Sequence, residues 1–331
     1  MRPVRAHEGN GILPECATGS LDSAPVQYDT GYQMTRVIKT LIVSALLAAP
    51  MAACGAPPTG AGLGTLQVIA GENFWGSIAG QLGGSHVTVT SIVTNPNTDP
   101  HEYESSATDA RAFATADYVI LNGAGYDGWG QKLLSANPST SRRVFTVADL
   151  LNKKPGDNPH FWYNPDWVDT VADKITADYR ALDPADAGYF SQQRESLATT
   201  FKPYHDAIAH IRASASGVPV GSTESIFVYM AQALGLHLLS PPEFMQAISE
   251  GTDPPAQTVA QFQDQISHHQ IKVLVYNTQT STPITDNLKR LATQNGIAVV
   301  GISETVQPAT ASFQDWQITQ LNSLKSALSR Q

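Results

Sequence analysis

Cysteine is nearly missing from this chain, with two among 331 residues. That excludes a disulfide-rich scaffold, a four-cysteine zinc module and a cysteine-held iron–sulfur cluster. Basic residues are also in the minority, 20 Lys+Arg against 29 Asp+Glu. The resulting formal charge of −9 excludes the basic face that a nucleic-acid binder needs. No apolar run reaches the roughly 20 residues of a membrane-spanning helix. Nucleophile and phosphate signatures are lacking too: there is no G-x-S-x-G elbow, no H-E-x-x-H helix and no G-x-x-x-x-G-K-[ST] loop. What is present is apolar: 42% hydrophobic residues against 15% charged ones predict a packed globular body.

The N-terminal stretch points to a compartment. Residues 1–33 are polar, contain Gly and Pro, show no apolar period and read as unstructured, so translation is expected to begin at Met34. A short basic stretch with Arg36 and Lys39 then precedes the apolar run from Leu41 to Ala53, the form of a secretory signal over 34–53. Met51-Ala-Ala-Cys54 resembles a bacterial lipobox, which implies that Cys54 is lipidated and becomes the mature N-terminus. The Gly/Pro-rich residues 54–64 read as a flexible tether. Together these place the chain on the extracytoplasmic face of a cell membrane, anchored by lipid.

From Leu66 short β-branched runs alternate with helical segments, which predicts parallel sheets with covered faces. Strands are expected at 66–70, 87–93, 117–122 and 143–147, and again at 218–221, 237–240, 271–276 and 297–302. Between the two sets, Trp167 to about Ala213 is almost wholly helical in pattern, interrupted at Leu182-Asp-Pro184 and at Pro203. The fold expected is therefore α/β: an N-terminal lobe over 65–185, a connecting helix over 186–215 and a C-terminal lobe over 216–331, each lobe with a four-stranded, mainly parallel sheet. Ligands of such sheets sit at the carboxyl ends of the strands, or in the cleft between two lobes.

Nine histidines are present, and most fall on helical or turn segments without company. Two differ. Asp99-Pro100-His101-Glu102-Tyr103 and Asn158-Pro159-His160-Phe161-Trp162 repeat one device, a carboxylate or amide, proline, histidine, any residue, aromatic. Proline fixes its own φ and restricts the residue before it, so each imidazole is presented from a stiff loop, as a metal ligand requires. Carboxylates stand at matching places in the second lobe. Glu224, in Gly221-Ser-Thr-Glu-Ser, lies where a strand passes into a helix, and Glu304 follows the final strand. Glu250 and Asp253 lie in a loop between them. No G-x-G-x-x-G fingerprint is expected: Asn122-Gly-Ala-Gly125 follows a strand but is taken to lack the phosphate-binding spacing and reads as a turn.

With these residues in view, the chain from about Leu66 to Leu328 resembles the TroA-like metal-binding receptors of bacterial ABC importers. The likeness is carried by Asp-Pro-His-Glu-Tyr-Glu at 99–104, Asn-Pro-His-Phe-Trp at 158–162 and Ser-Thr-Glu-Ser-Ile-Phe-Val-Tyr at 222–229. Asn73-Phe-Trp and Glu250-Gly-Thr-Asp-Pro254 support it. The resemblance implies two lobes joined by one long helix, with one divalent transition metal ion held between them by His101, His160, Glu224 and Glu304. It also implies an ABC permease, and an ATPase acting through it, as partners of a monomeric receptor that is not an enzyme. Ser105-Ser106 and Asn164-Pro165 depart from the family's usual residues, and Glu304 stands where Asp is usual. Two imidazoles suit zinc and iron alike, and two bidentate carboxylates would suit manganese or iron(II). Glu as third ligand is similar to the manganese/iron members, while the same atoms can hold zinc. A secreted metal-dependent hydrolase is the main rival; it would need an open coordination position and a general base, for which only Asp253 or Glu250 is left. A surface adhesin or metallochaperone on the same scaffold is the second.

Overall fold

The β-branched runs fold into two parallel sheets in the computed structural model, which describes residues 64–97 and 99–329. The expected signal segment at 34–53, the lipidated Cys54 and the tether as far as residue 63 lie outside the described residues. The first sheet contains β1 (Leu66–Glu72), β2 (Val87–Val93), β3 (Tyr118–Leu121) and β4 (Arg143–Thr146), in the order β2-β1-β3-β4. Its helices are α1 (Asn73–Gly83), α2 (Ala107–Thr115), α3 (Gly128–Ala136), α4 (Val147–Leu150) and α5 (Pro165–Leu182). The long helix α6 (Ala187–Ala215) leads to the second sheet. There β5 (Pro219–Ser222), β6 (His237–Leu238), β7 (Val273–Asn277) and β8 (Ala298–Ile302) run in the order β6-β5-β7-β8. Helices α7 (Val228–Ala233), α8 (Pro242–Ser249), α9 (Ala256–Ser267), α10 (Pro283–Gln294) and α11 (Phe313–Leu328) complete it. Every pairing is parallel, and the two sheets repeat one strand order. The strand order therefore switches sides between β1 and β3 and between β5 and β7, which opens a crevice at the carboxyl edge of each sheet.

The two departures from the family's usual residues serve as helix starts. Ser106 caps α2: its hydroxyl accepts from the N–H groups of Thr108 and Asp109, and Asp109 returns a bond to the Ser106 N–H. The side chain of Asn164 caps α5 by accepting from Asp166 and Trp167, and Pro165 takes the first helical position, where no N–H is needed.

Three expectations need correction. Pro203 does not interrupt the helical stretch but lies inside α6. Leu197, Phe201, Tyr204, Ile208 and Ile211 recur at three- and four-residue spacing on its buried face. Each contributes roughly 1.5–3 kcal/mol by burial, together outweighing the ~3 kcal/mol that an interior proline costs. The expected strand at 237–240 shortens to two residues, and α8 forms where only loop was expected.

The lobes share their core. One continuous apolar cluster includes Phe74 and Trp162 from the first lobe, Phe201 and Tyr204 from α6, and Val275, Phe313 and Trp316 from the second. The rings of Phe74 and Trp162 stack at 3.9 Å between centroids. Polar ties cross the same boundary: the Asn73 amide donates to the Val306 carbonyl at 3.2 Å and accepts from the Val306 N–H at 2.9 Å.

Replacing Pro203 by alanine restores a donor to the interior of α6. The expected outcome of Pro203→Ala is a rise in unfolding free energy of up to about 3 kcal/mol. A urea midpoint shifted upward at unchanged slope would record it; a lower midpoint would show that the packing of α6 against α11 needs the proline's distortion.

Candidate metal centre

Each donor sits at the carboxyl edge of a strand or in the loop beyond it. His101 follows β2 in a single 3-10 turn, Pro100–Glu102, whose start is fixed by the Asp99 carboxylate accepting from the His101 N–H at 2.9 Å. His160 precedes the turn Phe161–Tyr163 beyond α4. Glu224 lies two residues past β5 and Glu304 two past β8. The structure brings all four together: one donor atom from each lies within 4.8 Å of every other. His160 Nε2 is 3.2 Å from a Glu224 oxygen and 3.9 Å from Glu304 Oε2, while His101 Nε2 is 3.4 Å from that same Glu304 oxygen. The side chains of His160, Glu224 and Glu304 are fully buried, whereas 18% of His101 is exposed. His101 alone of the four lines a cleft of about 530 Å³ that opens to solvent.

The orientation of His160 is decided by its neighbour. Asn158 Oδ1 accepts from the His160 N–H at 3.2 Å and lies 2.6 Å from His160 Nδ1, while its Nδ2 donates to the Ser225 carbonyl. An amide oxygen only accepts, so Nδ1 carries a proton toward Asn158 and Nε2 faces the cluster. Nε2 of both histidines and Oε1 of Glu224 are buried without a hydrogen-bond partner. A lone pair and a carboxylate oxygen 3.2 Å apart in a dry interior need a proton or a cation between them.

The two glutamates differ in proton affinity. Burial pushes Glu304 up to about 8, and the neighbouring Glu224 carboxylate adds to the rise against the pull of His160. Burial acts on Glu224 in the same sense but is overcome by His160, His101 and the Asn277 amide, which hold it down at about 2. Of the two carboxyls, Glu304 is therefore the one that holds a proton more tightly.

Several residues around the donors went unread in the sequence. Asn277, the last residue of β7, donates through Nδ2 to Glu224 Oε2 and, at 2.6 Å, to Glu304 Oε1. Tyr126 donates to Glu304 Oε2 at 2.5 Å, and its ring meets that of His101 edge-on at 4.7 Å. Glu72, the last residue of β1, is buried with both carboxylate oxygens unpartnered; burial, then Asp127 and Glu304, drives it well above the usual carboxylate range. Polar residues directly at carboxyl edges of strands were the available signal. The stretch read as a plain turn needs correction as well. Gly123, Gly125 and Gly128 have G-x-G-x-x-G spacing between β3 and α3. The chain fills this loop itself: the Asp127 carboxylate accepts from the N–H groups of Asn122 and Gly123 at 2.5 and 2.8 Å, which leaves those two donors already satisfied. Glu250, at the cleft mouth, and Asp253 are exposed and stand outside the four-donor cluster. His86, read as unremarkable, pairs with Asp186 at 2.7 Å.

Two parallel α/β lobes sharing one core, with convergent buried donors where they meet, define a two-lobed binding protein. The model of the family described as zinc-uptake complex component A, periplasmic, matches residues 68–327, and the chain belongs to that family. This bears out the resemblance read from the motifs. The manganese-binding lipoprotein MntA of Bacillus subtilis (strain 168) is 27% identical over 256 residues, covering 72% of this chain and 81% of that protein. Among solved structures, the crystal structure of ZnuA superposes with a TM-score of 0.64 at 21% identity, over 80% of this chain and 100% of that one. The SBP FpvC from Pseudomonas aeruginosa, in complex with Mn2+, also gives 0.64, at 18% identity over 80% and 98%. These two likenesses bear out the expected fold.

The elevated Glu304 has a consequence for the metal-free protein. Between about 4.5 and about 8 the folded state holds a proton that the unfolded chain releases, so stability falls as pH rises through that window. A thermal midpoint that declines across it is expected, with Glu304→Gln, neutral throughout, flattening the decline. An unchanged slope in Glu304→Gln would mean that other buried carboxyls carry it.

Proposed function

We propose that this chain is the extracytoplasmic substrate-binding component of an ABC importer for a divalent transition metal. It takes the ion between its two lobes and hands it to a membrane permease, whose ATPase drives transport. The observation that carries this reading is the convergence of two imidazole nitrogens and two carboxylate oxygens in a nearly dry interior, three of them without a hydrogen-bond partner. Such a set is costly to assemble unless a cation joins it. Membership of an uptake-complex family, and relatives named as manganese-binding and metal-bound proteins, support the same reading.

In this role His101, His160, Glu224 and Glu304 are the ligands and the metal is cargo. His101 and His160 come from the first lobe, Glu224 and Glu304 from the second, so a bound ion joins the lobes at their carboxyl edges. His101, the donor that reaches the cleft, is the first to meet an arriving ion. Asn158 aims His160, while Tyr126 and Asn277 hold the carboxylates. No bond chemistry is assigned: Glu250 and Asp253, the general bases a hydrolase would need, lie outside the cluster. Lipid on Cys54 would tether the receptor beside its permease, as a monomer.

Metal-stripped protein offered equimolar zinc, manganese and iron(II) under anaerobic conditions is expected to retain one equivalent in total. His101→Ala, His160→Ala, Glu224→Ala and Glu304→Ala should each weaken retention by more than the roughly 10- to 100-fold typical of losing an outer hydrogen-bond partner. Wild type without stoichiometric metal would end the receptor reading; unimpaired Glu304→Ala would remove only that ligand. Because protons compete for the same donors, affinity should fall on acidification from about pH 8 to about pH 5, a window that spans ordinary imidazole titration. Isothermal titration at several pH values would record it, with proton release on binding at neutral pH.

A further inference from the structure

A second cluster of metal-ligating side chains lies away from the interlobe donors. His86 closes the turn between α1 and β2, while Asp183 and Asp186 flank Pro184 and Ala185 in the turn between α5 and α6. One donor atom from each of the three lies within 4.8 Å of the other two. His86 stands directly before β2, and His101 lies beyond the far end of that strand. The cluster is therefore at the amino edge of the first sheet, roughly 20 Å from the interlobe site for a strand of seven residues.

Ion pairing explains only part of this arrangement. His86 Nδ1 is 2.7 Å from Asp186 Oδ2, and its ring packs on that of Tyr189 with centroids 4.0 Å apart. The Tyr189 hydroxyl in turn accepts from the Ser85 N–H at 3.1 Å, so the imidazole is held in place. Asp183 is left over. It is 4% exposed, yet among the described residues its carboxylate accepts no hydrogen bond and pairs with no Lys or Arg. Helix capping does not account for it: Asp183 starts a 3-10 turn and Asp186 precedes α6, and neither side chain makes a capping bond. A buried carboxylate without a partner is costly unless positive charge is supplied, and one imidazole is already committed to Asp186.

We propose that His86, Asp183 and Asp186 form a second divalent-metal site, separate from the interlobe centre. One imidazole nitrogen and two carboxylate oxygens, with water completing the set, suit zinc and accept manganese. Asp183 forms the closed floor, and His86 and Asp186, with 32% and 34% of their side chains exposed, form the open face. The ion enters from solvent, takes the place of the proton shared by His86 and Asp186, and supplies the charge that Asp183 lacks. With three donors, two of them partly in water, this site is weaker than the buried four-donor cluster. Its ion is therefore present at equilibrium with free metal and lost on desalting. Once bound, it ties the α1–β2 turn to the start of α6, two places 100 residues apart in the chain. The site goes beyond the receptor reading and does not depend on it.

Equilibrium dialysis of the metal-stripped protein against rising free zinc tests the proposal. Wild type should bind one tight equivalent and one weaker. His160→Ala should impair the tight equivalent and leave the weaker one. His86→Ala and Asp183→Asn should keep the tight equivalent and weaken the second by more than the roughly tenfold cost of losing even an outer partner. Saturating zinc should also raise the thermal midpoint of His160→Ala, and raise it less in the double variant with His86→Ala. If Asp183→Asn fails to fold, His86→Ala decides, because that side chain is partly exposed. Wild type that saturates at one tight equivalent would overturn the proposal. A second equivalent undiminished in either variant would do the same, and would place the binding on other surface histidines such as His205 or His268. A wild type that lacked the tight equivalent but kept the weaker one would end the receptor reading and leave this site standing.

Discussion

Two imidazole nitrogens and two carboxylate oxygens held within 4.8 Å of one another, almost out of contact with water, are the constraint on which this protein is built. Left to themselves such atoms repel, and burial removes the solvent that would screen them. The surroundings therefore share the load. Glu304 is drawn toward its protonated form, Glu224 is drawn toward its ionised form against its burial, and Tyr126, Thr280 and Asn277 donate hydrogen bonds to the two carboxyl groups.

The fold supplies these groups by repetition. One strand order used twice turns two carboxyl edges toward a common cleft, and loops beyond four different strands contribute the four donor residues. An apolar core that runs without a break from Phe74 through Phe201 to Trp316 sets the relative position of the sheets. The unfavourable cluster is thus carried by a large favourable burial elsewhere, in the way strained sites generally persist. It also means that the spacing of the four donors is decided chiefly by packing remote from them.

Much of this was legible in the sequence, for identifiable reasons. The strands of both sheets were readable because β-branched runs such as Val87-Thr-Val-Thr-Ser-Ile-Val93 have a strong local signature. The two histidines stood out because the same proline-bearing device occurs twice. Interactions that depend on distant partners were not legible. Asn277 is an ordinary polar residue at a strand end until β5 and β8 bring Glu224 and Glu304 to either side of it. Pro203 misled because local propensity argued for a break while burial of the helix face from Leu197 to Ile211 decided otherwise. The glycines at 123, 125 and 128 are readable as a spacing, but only the fold shows Asp127 bonded to the loop's own N–H groups.

That occupied loop has an effect on the four-donor cluster. A glycine-rich turn that waits for an external anion stays mobile until the anion arrives, and part of the binding energy goes into ordering it. Here the anion is residue 127 of the same chain, so the ordering is complete once the protein has folded. Tyr126 stands next to that internal anchor and reaches Glu304 from it. One wall of the donor cluster is therefore held by bonds within the chain itself.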